Sequence, residues 1–442
     1  MKLEQDDNLV IGGGQAVYTD EIAEKTPFSG PQAIEFSRPL ALLFAIACGL
    51  AVANVYFAPP LLDAIADSFG MSHATIGMIV SISQVGYGLG LLLIVPLGDL
   101  IDRRRLIAGQ SVLSALALLA VCFAPTSLAL LVAMAAIGLL AVVTQALVAY
   151  AASLAKPHER GQVVGIVTSG IVIGILLART IAGGMADLAG WRSVYAVSAV
   201  LTLIIAALLF HFLPRNEVRR TKIAYPKLIR SVFLLFAEEP VLRIRAVIAM
   251  FIFADITMLL TPLVLPLSAP PFSLSHTQIG LFGLAGAAGA LAASRAGRWA
   301  DRGHAQRTTG IALTIMLLSW IPVAFMQTSL WFLIIGIVTI DFALQAVHVS
   351  NQSLIYRVRP EAQSRLTAGY MIFYSIGSAA GSLGSTLVYA SAGWPGVSLA
   401  GAGISALALM FWAATRHRTP AGAMAEAGQH ETLDDGHAWP RR

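Results

Sequence analysis

"VPLGDLIDRRRLIAG", Val95 to Gly109, closes one long apolar stretch with two aspartates and three consecutive arginines, and then opens another. Dense charge between two greasy segments reads as a short aqueous loop between membrane crossings, and the rest of the chain agrees. Of 442 residues, 57% are hydrophobic and 12% charged, a balance too apolar for a water-soluble protein of that size. A hydrocarbon core of roughly 30 Å is crossed by about 20 apolar residues in a helix. Twelve such stretches occur, at 39–62, 74–97, 106–124, 127–152, 161–183, 192–213, 244–267, 276–294, 309–326, 329–352, 366–388 and 395–415. None alternates as barrel strands do, and their many Gly, Pro and Ala suit close helix packing and local unwinding in lipid. The chain reads as an all-α integral membrane protein.

Lysine and arginine are retained on the cytoplasmic side during insertion. With both ends of a twelve-span chain on that side, its segments there hold all of the 29 Lys and Arg except Arg179 and Arg192. The net charge of +5 is then an insertion signal, and no nucleic acid is implied as a partner. The expectation is a multi-pass protein of the cell (inner) membrane, monomeric, with the lipid bilayer as its solvent and both termini cytoplasmic. Residues 1–38 and 416–442 read as polar tails. The first lacks the basic-then-apolar order of a cleaved leader, and its Gly12-Gly13-Gly14 lacks the strand–turn–helix setting of a phosphate loop. Cys48 and Cys122 both fall inside spans, so no disulfide framework is implied.

The chain also repeats itself. "AGWRSV" at Ala189–Val194 returns as "AGWPGV" at Ala392–Val397, and "QALVA" from Gln145 as "QAVHV" from Gln345. Asp99 in the opening loop is matched by Asp301 in "GRWADRGHAQR", Gly297–Arg307. A common offset of about 200 residues in three places indicates a duplicated six-helix unit. The division is 39–213 for the first bundle, 214–243 for a cytoplasmic linker and 244–415 for the second bundle.

On these residues the chain resembles the major facilitator superfamily, and within it the twelve-span drug and metabolite efflux branch. The loop between spans two and three in that family reads roughly Gly-x-Leu-x-Asp-Arg-x-Gly-Arg-Arg. Leu97, Asp99, Arg103 and Arg104 fit it, while Val95, Leu100 and Asp102 depart from it. The second copy keeps Gly297, Asp301 and Arg302 but has His304 at the later Gly. Span five departs too, with Arg179-Thr180 where efflux members carry Gly-Pro, and span four has Ala135 where the family commonly places an arginine. The resemblance implies two pseudo-symmetric six-helix bundles around a central site. It also implies a cytoplasmic gate of Asp99, Arg103, Arg104, Gly297, Asp301 and Arg302. In that gate Asp99 faces the start of span eleven near Arg365, and Asp301 the start of span five near Arg160. A carboxylate at the positive end of a helix gains about 0.3 to 1 kcal/mol.

Charge inside a bilayer costs about 2.5 to 3.5 kcal/mol even on the lenient insertion scale, so intramembrane ions mark function. Asp255 ("IFADITMLL"), Asp341 ("TIDFALQ") and Arg179 ("LLARTIAGG") are predicted to face the cavity and to carry proton coupling. Arg179 could instead pair with Asp341 or Asp187, or snorkel outward. Asn54, Tyr56, Gln84, Gln145, Gln345 and His348 are read as polar lining of the substrate cavity, with Asn351 and Gln352 nearer its cytoplasmic mouth, and Pro59-Pro60 kinks span one beside them. With aromatic residues scarce, the cavity is expected to suit a small amphipathic or polar organic molecule. Gly86, Gly90, Gly377, Gly381 and Gly384 read as packing seams.

These readings favour a secondary active transporter without cofactor or metal, working by alternating access as a proton antiporter in efflux. The alternative is proton-coupled uptake by symport. An intramembrane hydrolase is disfavoured, because no H-E-x-x-H, G-x-S-x-G or G-x-G-D motif lies in a span. A non-transporting receptor normally carries a folded soluble domain, for which neither tail nor linker has the length or composition.

Overall fold

The computed structural model describes residues 38–155, 159–213, 225–299, 304–359 and 363–418, and no strand occurs among them. Span one is Arg38–Tyr56, broken at Pro59–Leu61 and continued as Leu62–Phe69. Span two is Gly77–Leu93, span three Arg103–Cys122, and span four the pair Ser127–Leu140 and Val143–Leu154. Spans five and six are Arg160–Ala189 and Trp191–Phe212. Span seven comprises Pro240–Leu260 and Val264–Ser268, span eight is His276–Trp299, span nine Ala305–Ala324 and span ten Leu330–Val358. Spans eleven and twelve form one run, Gln363–Thr415, divided at Gly393, whose φ of 62° reverses the chain where any other residue would be strained.

Packing follows the duplication. Span one lies on five, two on four and three on six, just as seven lies on eleven, eight on ten and nine on twelve. The seams close on small residues. A methyl group at Gly138 would overlap the Ser83 carbonyl of span two, and Gly86 and Gly90 meet Ala135 and Leu139 on the same seam. Gly377 and Gly381 repeat this against Met250 and Ala254 of span seven. Without a hydrophobic driving force between helices in lipid, such close backbone approach supplies the attraction.

The opening stretch becomes a short 3-10 turn, Val95–Asp99, followed by Asp102, whose side chain accepts from the Arg104 N–H at 2.9 Å and caps span three. The linker between halves contains a helix, Tyr225–Glu238, stacked through Phe236 on Phe373 of span eleven, with rings 5.2 Å apart. Tyr225 reaches the other half by donating to the Leu93 carbonyl at 2.5 Å.

The halves meet along two related seams, span two with eleven and span five with eight. Their close approaches lie toward the face remote from the chain ends, here called the far face. Ser81 donates to the Ala379 carbonyl at 2.8 Å, Ser382 to Gly77 at 3.2 Å and Thr386 to Ala74 at 3.2 Å. On the second seam Thr180 donates to Gly280 at 3.1 Å. The seams descend to mid-depth, where Gly88 faces Ser375 and Tyr56 faces Tyr374.

Candidate functional site

At mid-depth the seams bring together side chains from both halves. Asp341, Gln345 and His348 are spaced four and three apart, so they share one face of span ten. Arg179 enters from span five, Tyr56 from one, Gln84 and Tyr87 from two, Gln145 from four, Phe253 from seven, and Tyr370 and Tyr374 from eleven. The Tyr56 and Tyr374 hydroxyls lie 2.9 Å apart across the seam, and Gln84 also bonds Tyr374. Gln145 donates to the Tyr87 hydroxyl at 3.4 Å. Phe253 packs edge-on against Tyr374 at 4.1 Å and against His348 at 5.4 Å. His348 Nδ1 is 2.9 Å from the Tyr370 hydroxyl.

The ionic centre is Arg179 with Asp341. Span eight admits both through glycines: the Arg179 stem lies against Gly283, and the Asp341 carboxylate fills the place a side chain at Gly286 would take. Residues three apart on a helix are neighbours on one face, so this surface sets cation and anion side by side. Each lies in the other's electrostatic reach. Yet among the described residues no carboxylate comes within 4.0 Å of Arg179, and its buried Nε has no partner. Its guanidinium stands 5.9 Å from the Tyr56 ring centroid, within cation–π range.

Two expectations about facing are corrected. Asp255 does not face this site: fully buried, it accepts from Trp320 Nε1 of span nine at 3.0 Å and from Ser405 of span twelve at 2.7 Å. Asn54 is likewise buried, accepting from Ser198 of span six at 2.5 Å. The reason is helix geometry. Each lies two residues from a side chain that does face the site, Phe253 and Tyr56 respectively, and two residues turn a helix by about 200°. Asp187, considered as a partner for Arg179, bonds instead to His276 and Thr277.

The expected scarcity of aromatic residues is also corrected, since five aromatic rings wall the site. Tyr370 and Tyr374 share a helix face at i, i+4 in the sequence, a signal that was available. Arg245, read as a topology marker, is fully buried instead. Its Nη1 donates to Asn351 at 3.4 Å, and the Asn351 amide donates to Tyr370 at 3.4 Å. That chain extends the polar lining toward the face of the chain ends.

Arg103 donates from Nε to the Gly98 carbonyl at 3.3 Å, and the Arg104 guanidinium donates to the Phe210 carbonyl while covering the Phe210 ring at 4.5 Å. Both tie the opening loop within the first half. The Asp99 side chain, the surroundings of Gly297, and Asp301 and Arg302 lie outside the described residues. A groove of about 430 Å³ between spans one, five and six is walled by Leu42, Ile46, Ile173 and Ile181 and carries no ionisable group.

Comparison with known proteins agrees with this architecture. The family model described as Major Facilitator Superfamily matches residues 43–302 and 245–439. A "Putative uncharacterized transporter YgaY" of Escherichia coli (strain K12) is 47% identical over 387 residues, covering 88% of this chain and 98% of that one. A "Probable transporter SCO4007" of Streptomyces coelicolor is 31% identical over 382 residues, covering 85% and 86%. Among solved structures, a bacterial homologue of the human lysosomal transporter Spinster, in an inward-facing and occupied conformation, superposes with a TM-score of 0.70 at 13% identity, covering 86% of this chain and 97% of that one. With its duplicated six-span halves, the chain belongs to the major facilitator superfamily and is a membrane transporter.

Proposed function

We propose that this transporter couples the movement of a small organic molecule across the cell membrane to protons, with its basic face cytoplasmic, as a single chain. The observation that carries the reading is the Arg179–Asp341 neighbourhood at the seam of the halves, close enough to interact but without a direct ion pair. A membrane-depth arginine keeps its proton and must be answered by an anion or by water. When Asp341 is ionised it answers Arg179 from a short distance. When Asp341 takes a proton, Arg179 is released to an anionic group on the substrate. Proton and anionic substrate then load together against one balance of charge, which favours symport over exchange. Tyr56, Tyr87, Phe253 and Tyr374 offer flat, mostly apolar walls with hydroxyl tips, which suit a planar or amphipathic molecule with a single acidic group.

Asp255 is left out of the coupling, because it is held inside the second bundle by Trp320 and Ser405. Export in exchange for protons, implied by the resemblance to efflux transporters, needs the two loads to compete instead, so direction needs its own measurement. Flux in inverted and right-side-out vesicles under an imposed pH gradient separates the two: an antiporter accumulates substrate in acid-inside vesicles, a symporter in alkaline-inside vesicles. Asp341→Asn should abolish gradient-driven flux while sparing part of substrate exchange. Normal gradient-driven flux in that variant would overturn the coupling.

A further inference from the structure

Where spans one, five and eight meet at the far face, three ionisable side chains converge outside the mid-depth site. Asp63 stands in the Leu62–Phe69 segment of span one, Asp187 in the last turn of span five, and His276 is the first residue of span eight. His276 Nε2 lies 3.0 Å from Asp63 Oδ1, and its Nδ1 lies 3.0 Å from Asp187 Oδ1. Asp187 accepts as well from the backbone N–H groups of His276 at 3.2 Å and Thr277 at 2.8 Å, and from the Thr277 hydroxyl at 2.6 Å. Both aspartates belong to the first half and the histidine to the second, so these bonds cross the seam that must part if the far face is to open.

The ring geometry dictates a proton. An ionised carboxylate only accepts, and a neutral imidazole has one N–H and one lone pair. A histidine with a carboxylate oxygen at hydrogen-bond distance from each nitrogen is satisfied only as the imidazolium. If the ring loses that proton, one nitrogen turns its lone pair on a carboxylate, and one of the two cross-seam bonds becomes repulsive. The charged groups facing the ring are Asp63 from span one and Asp187 from span five, and from its own element the neighbours Ser275 and Gln278 are uncharged. The Asp187–Thr277 bonds do not depend on the proton, so its loss loosens the closure without abolishing it.

The geometry assigns to this cluster a second proton-binding site: a proton on His276 fastens the two halves together at the far face, and its release lets them part. The His276 side chain is 25% exposed, so protons reach it from the far-side medium without passing the substrate. An alkaline medium on that side favours opening, and an acidic one favours closure. The proposal rests on alternating access by this transporter but not on Asp341 as its coupling group.

Spin labels at Leu128→Cys in the first half and Gln327→Cys in the second, both at exposed far-face ends, report the opening in a background of Cys48→Ser and Cys122→Ser. Pulsed dipolar spectra of the full chain in liposomes, taken from mildly acidic to alkaline pH, should gain a longer-distance population as pH rises. In His276→Gln, whose uncharged amide cannot donate to both carboxylates from two sides, the longer population should be present at every pH. In Asp63→Asn the amide donates to a neutral Nε2, so the far face should stay shut at both extremes. Asp341→Asn should keep the wild-type response. The proposal is overturned by a wild type that ignores pH, by a His276→Gln variant that responds as the wild type does, or by a response that Asp341→Asn abolishes. If His276→Gln does not fold, Asp63→Asn decides: a wild-type pH response there sinks the proposal.

Discussion

Arg179 and Asp255 both carry ionisable side chains at membrane depth, and their surroundings separate their roles. Arg179 keeps an unanswered Nε beside Tyr56 and the carboxylate of Asp341. If that neighbourhood couples proton to substrate, substrate binding in wild type depends on pH, and Arg179→Gln flattens the dependence. Arg179→Lys should restore it only in part, because the planar fork of donors is lost. Binding of a transported substrate to purified protein across a pH series checks this, and an unaltered profile in Arg179→Gln would count against it. Asp255 is instead an acceptor for two buried donors, Trp320 and Ser405. Asp255→Ala leaves both without a partner, and each orphaned buried group costs about 1 to 3 kcal/mol. Its signature is a lowered melting temperature in detergent, with gradient-driven transport retained by the protein that stays folded.

The spans themselves are apolar on nearly every side, so the seams between them depend on shape. Gly138 sits where any side chain would run into the Ser83 carbonyl of span two. Gly138→Ala should therefore force spans two and four apart and destabilise the fold by about 1 to 3 kcal/mol, whereas Gly109→Ala, which meets open space within span three, should be neutral or better. Paired melting curves in one detergent distinguish them. The connector helix Tyr225–Glu238 belongs to the same scale. A segment read as a polar linker is folded against both halves, through Phe236 on Phe373 in one and Tyr225 on Leu93 in the other, so the spacer between bundles is itself a packed element.

Taken whole, the molecule is two six-span bundles related by the internal repeat and joined along two equivalent seams, with their close contacts concentrated toward the far face. Alternating access requires those contacts to break while others form at the opposite end. The Asp99 loop is our candidate for that second set. Asp99→Asn removes no Lys or Arg, so insertion should be unchanged, while a gate that uses the carboxylate should loosen. A cysteine at Gln345 would then label faster with an impermeant reagent from the cytoplasmic side. Unchanged labelling with normal transport would leave the loop as an insertion signal and a helix cap.

The sequence alone determined how many times the chain crosses, where it turns, that it is duplicated, and that Arg179, Asp341 and His348 lie at depth. Those follow from the length of apolar runs and the positions of charges, which are local. Only the tertiary structure decided which way each side chain points. A helix apolar on all sides carries little amphipathic signal to name its inner face, so Asp255 and Phe253, or Asn54 and Tyr56, cannot be told apart by composition. It alone joined His276 to Asp187 and Asp63, partners 89 and 213 positions away, because a bond across the seam exists only once the two halves have docked.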